Sequence, residues 1–479
     1  MSRPESPYPS PETGLAVQRP AASRTSGRIG RDGEGFLPFE GGEYYRIAGY
    51  DRMPPFLMSL ASDADLWMFV ASGGGLTAGR VDAEGSLFPY ETVDKLHDAH
   101  HHSGPVTLLR VRRGGGPSTL WEPFAAHRGG DAGIERNLYK NATGNRLVFE
   151  EVNEELDLVF RYRWAGCDPF GWVRTANIEN RGSGAVSVDL LDGLRNVLPW
   201  GVPLALYQRS SSLVDAYKRT DCDPETGLAV FSITAMITDR AEAAEVLRAN
   251  SVWCCGLRRF TVALSPEAIA AFRSGKAASS ETTLTGRRGN YLVASTLDLA
   301  SGGRTDWHLV ADVGRSHAQL AGLRTRLQRD DALDRALRSS LRESEESLRR
   351  IVAGADGLQL TGHPATTHHH FANVLFNAMR GGVFTHDYDL PLADFVDFLE
   401  TRNRKVAAGQ KALLGTLPEE IRSAELIRIA ERSQDADLER LSYEYLPLWF
   451  GRRHGDPSRP WNRFTIRVKN PDGTRALRY

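Results

Sequence analysis

The chain has 479 residues, with 59 Lys plus Arg against 60 Asp plus Glu and a formal charge of −1. That length exceeds one typical domain, and the near-neutral balance offers no global field for steering a polyanion, which argues against nucleic acid or an anionic membrane as partner. No stretch reaches the roughly 20 apolar residues of a membrane span, and the start lacks the basic-then-apolar order of a secretory signal, so a cytoplasmic protein is expected.

Residues 1–34 are rich in Pro, Ser, Arg and Gly and nearly free of large apolar groups, so they cannot offset the entropy of ordering and read as a disordered tail. A transit peptide is the alternative, weakened by Glu5, Glu12, Asp32 and Glu34. Over 35–313 the pattern changes to short apolar or alternating runs broken by Gly, Asn and Asp, such as Leu66–Val70, Val106–Val111, Leu156–Trp164 and Trp172–Ile178. A period near two is the strand signature, and with few helical stretches between them a large antiparallel sandwich is expected. Asn180-Arg181-Gly182-Ser183-Gly184 reads as a turn between antiparallel neighbours, while Ala241–Arg248 and Pro266–Ala277 read as short helices.

From Gly314 the period lengthens. Leu320, Leu323, Leu327, Leu333, Leu337, Leu341, Leu348 and Ile351 recur at mostly three- and four-residue steps, which predicts a long amphipathic linker helix over 314–360, continuous or with one break. Further helices are expected over Phe371–Met379, Pro391–Leu414 and Leu426–Leu441, making 361–479 a helical segment.

The four cysteines form no CxxC pair, and Cys254 and Cys255 are adjacent, so reduced structural thiols are expected. His100–His102 and His368–His370 are consecutive, a spacing that points imidazoles apart, and no metal is expected. His370, Asn373, Asn377 and Arg380 share one helical face and either line a groove or brace neighbouring loops. Gly73–Gly75 reads as a strand-to-strand turn in preference to a phosphate nest. Trp121-Glu122-Pro123-Phe124 and Asp131 to Tyr139 set carboxylates beside aromatics, which suits either a sugar or a strand-edge ion pair. Asp387, Asp389, Asp394 and Asp397 are candidate acids, or a helix N-terminal acidic turn.

The loop Trp449 to Trp461 gathers Arg452, Arg453, His454, Asp456, Arg459 and two tryptophans between Gly and Pro. Guanidinium forks and flat aromatic faces match polyhydroxylated or anionic ligands. Arg452, Arg453 and His454 are therefore candidate anion or hydroxyl donors, Trp461 a stacking plate, and Asp456 either a site acid or an Asx turn before Pro457.

The runs Met53–Phe56, Gly74–Arg80, Leu190–Pro199, Phe371–Gly382 and Arg452–Trp461 carry a resemblance to the N-terminal part of cellobiose phosphorylase-like proteins, relatives of the inverting glycoside phosphorylases and six-hairpin glycosidases. The resemblance implies a galactose mutarotase-like β-supersandwich, a helical linker and the start of an (α/α)6 barrel. In that family inorganic phosphate attacks the anomeric carbon while one barrel aspartic acid protonates the departing oxygen. It further implies an oligosaccharide or sugar phosphate as partner, β-glucoside-type substrates, phosphate as co-substrate with no other cofactor, and a homodimer. The helices after Gly314 are too few to close such a barrel, so the chain is expected to be part of a longer enzyme, inactive alone, with the proton donor beyond Tyr479. A binding module without chemistry and a hydrolase of the same architecture stay open beside it.

Overall fold

Alternation of apolar and polar side chains turns most of 35–316 into strands, and the strands assort into two large sheets facing each other. In the computed structural model the described residues are 35–449, without 115, 127–128, 130, 236, 238–245, 330–331, 354–357, 359–361, 380–382, 385–388 and 446–447, together with strands Ile466–Lys469 and Arg475–Arg478.

The larger sheet is 11-stranded, in spatial order Gly35–Phe39, Gly42–Ala48, Ile134–Asn141, Leu147–Asn153, Leu158–Cys167, Gly171–Asn180, Arg304–Ser316, Arg248–Cys255, Ala229–Ile233, Lys218–Cys222 and Thr283–Thr285. The smaller is 5-stranded, running Thr261–Ala263, Gly289–Leu299, Val186–Val197, Gly104–Arg113 and Thr119–Trp121. Every pairing in both is antiparallel, as the alternation predicts. A three-stranded sheet, Leu57–Leu60, Leu66–Ala71 and Leu76–Arg80, adds Met68, Val70 and Leu76 to the same core.

Between the sheets Phe160, Tyr162 and Trp164 meet Trp121, Trp172, Leu190 and Trp307 in one apolar cluster. The opposite faces of the central strands, carrying Ala165, Cys167, Val173 and Val310, are covered by Leu333, Leu337 and Leu341 of helix Leu333–Ala353. Cover on both faces explains why apolar residues stand on both sides of these strands. Each buried leucine contributes roughly 1.5–3 kcal/mol, so this stripe suffices to seat the helix on the sheet. The expected long helix is described as two, His317–Arg329 and Leu333–Ala353.

The turn Asn180–Gly184 differs from expectation. It joins the two sheets, because Gly171–Asn180 pairs within the larger sheet and Val186–Val197 within the smaller. Asn180 closes it: Oδ1 accepts from Gly182 N at 3.1 Å, and Nδ2 donates to the Gly184 carbonyl at 2.8 Å and the Ala300 carbonyl at 3.0 Å. A side chain replaces the ladder that a hairpin would have used. Residues 241–245 of the expected helix Ala241–Arg248 lie outside the described set, and Arg248 begins a strand. Helix Glu267–Arg273 forms within the expected Pro266–Ala277 span.

Beyond helix Pro364–Met379, the helices Leu392–Arg402, Arg404–Gly409, Lys411–Leu414, Ser423–Arg432 and Ala436–Glu444 close on a core of their own. It is built from Leu390, Phe395, Leu399, Val406, Leu414, Leu426, Leu438 and Leu441. Asn403 and Asp435 cap two of these helices by accepting from Val406 N and from Asp437 N and Leu438 N. Two short antiparallel pairings frame the unit: Asp389–Pro391 with Glu420–Arg422, and Val383–Phe384 with Leu448–Trp449.

Candidate functional site

Strand Val186–Val197 is regular against Gly289–Leu299 until Leu194 pairs with Tyr291, after which the next pair is Val197 with Gly289. Arg195 and Asn196 thus share the space opposite Asn290, a β-bulge, and Asn196 takes a left-handed φ of 53°, which asparagine tolerates better than most residues. Asn196 N donates to Asn290 Oδ1 at 2.9 Å and fixes that amide's orientation. Asn196 Oδ1 and Asn290 Nδ2 then have no partner among the described residues, although the two residues are only 6% and 4% exposed. A buried donor and a buried acceptor side by side mark a place built for a polar ligand or ordered water.

These residues form part of the wall of a cleft of about 1120 Å³, ample beside the roughly 300–1,000 Å³ of ordinary small-molecule sites. One end reaches the sandwich interior at Thr107, Tyr162 and Arg174. There Arg174 Nη1 donates to both Asp192 oxygens, at 2.9 and 2.7 Å, and Asp192 also accepts from Thr107 Oγ1 at 2.6 Å and Trp307 Nε1 at 2.7 Å. Both members of the ion pair are fully buried. The Arg174 guanidinium lies 4.6 Å from the Tyr162 ring centroid, so an aromatic face and four hydrogen bonds to one carboxylate replace the water this pair has lost.

The mouth is made of loops held by charge. Glu122 receives two hydrogen bonds from Arg273 of helix Glu267–Arg273, at 2.8 and 2.7 Å. The loop that carries Glu122 is tied down from below by fully buried Glu151, which accepts from Trp121 Nε1 at 2.7 Å, Phe124 N at 2.6 Å and Arg136 Nε at 2.9 Å. This anchoring holds Phe124 at a φ of 63°, a conformation costly for a phenylalanine and most often kept where function needs it. Across the mouth, Arg287 pairs with Glu267, and Arg288 Nε lies 3.9 Å from Asp215. His100, His101 and His102 complete the wall, and burial lowers the His100 pKa below the ordinary histidine value.

Arg195 stands apart. Its guanidinium donates to the carbonyls of His101 at 2.9 Å, His100 at 2.5 Å and Pro105 at 3.2 Å, and no carboxylate among the described residues pairs with it. Burial first, and then the charge of Arg273, push its pKa down to about 10.

The residues nominated from the sequence fall into three groups. Arg452, Arg453, His454, Asp456 and Trp461 lie outside the described residues, as do Arg380 and Asp387. Others brace the fold. Asp394 accepts from Tyr445 Oη in the helical unit, Asp389 lies 3.4 Å from Arg422, and His368 stacks on Phe36 and pairs with Glu43 at 2.8 Å, fastening helix Pro364–Met379 to the sheet edge. Arg136 and Tyr139 serve buried Glu151 and Glu150 and stay out of the cleft. The third group reaches it: Glu122, Phe124, Gly73, Gly74 and His100 to His102 line the wall, although Gly73–Gly75 is also the turn between strands Leu66–Ala71 and Leu76–Arg80. Gly75 is required in that turn, since a Cβ there would sit 2.1 Å from the Leu96 carbonyl oxygen.

Sequence reasoning missed Arg195, Asn196, Asn290 and Arg273. Leu190–Pro199 held a signal, because two polar residues in succession interrupt its alternation where the bulge lies. The cysteines are free thiols, with Cys167, Cys222 and Cys254 buried. Among the described residues no group of three or more His, Cys, Asp and Glu converges on a metal position, and no helix is long and apolar enough to cross a membrane.

Residues 384–447 match the family model of glycoside hydrolase family 149 insertion domain 1, the span of the helical unit with its own core. No curated protein matches the chain significantly. Among solved structures, a bacterial glucoamylase in complex with acarbose is similar at 9% identity and TM-score 0.35, over 81% of this chain and 58% of that one. A protein named as a kojibiose phosphorylase from human microbiome is similar at 8% identity and TM-score 0.31, over 71% of this chain and 36% of that one. A protein named as an aldose 1-epimerase from Klebsiella pneumoniae is similar at 10% identity and TM-score 0.30, over 60% of this chain and 88% of that one. The chain thus spans less than two thirds of the first two, and its helical unit is similar to an insertion domain of a glycoside hydrolase family.

Proposed function

We propose that the chain is part of a carbohydrate-active enzyme of the glycoside phosphorylase or hydrolase kind, and that its sandwich cleft binds carbohydrate. The observation that carries the reading is the bulge at the cleft wall. Asn196 and Asn290 present an acceptor and a donor with no partner among the described residues, beside the Arg195 guanidinium and the Phe124 and Tyr162 rings. Sugars need this combination, paired hydrogen-bonding groups for hydroxyls next to aromatic surface for C–H faces. The insertion-domain match at 384–447 supports the same class from a separate part of the chain.

On this reading the bond-breaking chemistry belongs to a helical barrel to which this chain contributes, with the loop from Arg452 to Trp461 at its rim, β-linked glucosides as substrates and inorganic phosphate as acceptor. The cleft described above is a separate carbohydrate site. Calorimetric titration of the purified chain with cellobiose and cellotriose tests it, with heat of binding expected at millimolar ligand and its loss on Asn196→Ala. Silence with both sugars removes the reading. Release of phosphate from α-D-glucose 1-phosphate with glucoside acceptors, assayed on the whole enzyme containing this chain, tests the chemistry. Binding without release leaves a carbohydrate-binding module.

A further inference from the structure

The arginines around the cleft are not equivalent. Arg174 is neutralised by Asp192, Arg273 by Glu122 and Arg287 by Glu267, and Arg288 faces Asp215. Arg195 has only backbone carbonyls, which orient a guanidinium without cancelling its charge. Its Nε is enclosed with no acceptor among the described residues, and the bulge at Asn196 holds the side chain against the cleft.

We propose that the cleft takes a carbohydrate bearing a single oxyanion, a phosphate or a carboxylate, with Arg195 receiving the charge and the Asn196–Asn290 pair receiving neighbouring hydroxyls. This rests on the reading of the cleft as a carbohydrate site. A partly buried cation without a counter-charge raises the free energy of the empty site, and an anion arriving there relieves it while gaining short charge-assisted hydrogen bonds. The fall in the Arg195 pKa has the same origin, since both burial and Arg273 disfavour its charge. A neutral glucoside would leave that charge uncompensated. A polyanion gains nothing further, because Arg273, Arg287 and Arg288 already face Glu122, Glu267 and Asp215.

Titration calorimetry at neutral pH and low salt decides it. The probes are cellobiose, D-glucose, α-D-glucose 1-phosphate, D-glucose 6-phosphate, D-glucuronate and inorganic phosphate, with the parent chain, Arg195→Gln and Arg195→Lys. At least one charged sugar should bind the parent roughly tenfold or more tighter than glucose, the scale of one hydrogen bond to a charged group, and which one separates phosphate from carboxylate. Arg195→Gln should bring that ratio near one, and Arg195→Lys should retain part of it. Equal affinity for charged and neutral sugars in the parent overturns the anion assignment and leaves the carbohydrate reading standing. Inorganic phosphate binding as tightly as the sugar phosphates, with no response to cellobiose or glucose, overturns the carbohydrate reading instead. Silence with all probes overturns both. The parent comparison needs no variant, so a misfolded Arg195→Gln does not shield the proposal.

Discussion

Asp192→Ala is the substitution to which the sandwich should respond most strongly. The carboxylate accepts from Arg174, Thr107 and Trp307 at 2.6 to 2.9 Å, with both ionic side chains fully buried. Removing it strands the Arg174 charge between the sheets, a loss of about 3–5 kcal/mol, and leaves the Trp307 indole N–H without its acceptor at about 1–3 kcal/mol more. These terms share one cavity and will not add fully, so a net loss of about 4–6 kcal/mol is expected. Set against a typical stability of about 5–15 kcal/mol, that brings the sandwich close to unfolding and lowers its Tm by about 10 °C or more. Urea titration read by tryptophan fluorescence is the assay, since Trp67, Trp121, Trp164, Trp172, Trp200, Trp253 and Trp307 precede residue 316 and the helical unit at 390–445 contains none, so the signal reports chiefly the sandwich. The double variant Arg174→Met with Asp192→Leu removes both charges at similar volume and should recover most of the loss. The reasoning is refuted if Asp192→Ala unfolds within about 1 kcal/mol of the parent, or if the double variant is no more stable than the single.

Three further outcomes are expected. Leu399→Ala, at a fully buried position, should destabilise the helical unit by about 2–5 kcal/mol, detected as lost amide protection over 392–444, while tryptophan-detected unfolding stays at its parental midpoint. At Asp334, the His308 ring 3.0 Å away and then Arg338 hold the carboxyl well below the usual range against an opposing effect of burial. Its contribution to seating helix Leu333–Ala353 is therefore complete above roughly pH 4 and lost as pH falls further toward the depressed value. Amide protection factors of that helix, corrected for the intrinsic pH dependence of exchange, should fall between about pH 4 and 2 in the parent and far less in Asp334→Asn, with identical profiles counting against the contact. Burial pushes the Cys167, Cys222 and Cys255 thiols up to about 12 and raises Cys254 well above the ordinary thiol value, so a thiol reagent at pH 8 should label the native chain slowly and all four cysteines quickly in denaturant.

The strands and helices were legible because each leaves a period in the sequence. Leu158–Cys167 and Gly171–Asn180 read as strands, and the leucines of 333–348 read as one helical face. What that face meets was not legible, since a period shows which side is buried and not against what. Only the structure shows Leu333, Leu337 and Leu341 on the outer face of the larger sheet, and Phe395, Leu399 and Leu426 packing among themselves. The turn at Asn180–Gly184 failed for a related reason: glycine chemistry announces a reversal but not the sheet in which the chain resumes. The cleft was half legible. Glu122, Phe124 and the histidine run stand out as local clusters, whereas Arg195, Asn290 and Arg273 meet from strands and a helix distant in sequence, and the bulge that joins two of them is a property of register.

The short pairing of Val383–Phe384 with Leu448–Trp449 gives the helical unit a stem. Across an antiparallel pair the two backbones lie about 5 Å apart, so the chain leaves for the unit and returns from it at nearly the same point. The path on either side then has the geometry of an ordinary hairpin whose loop has grown into a folded body. Such a loop can be lengthened, exchanged or cut back to a few residues between 384 and 448 while the flanking chain keeps its course, which makes the unit a replaceable part of the architecture that carries it.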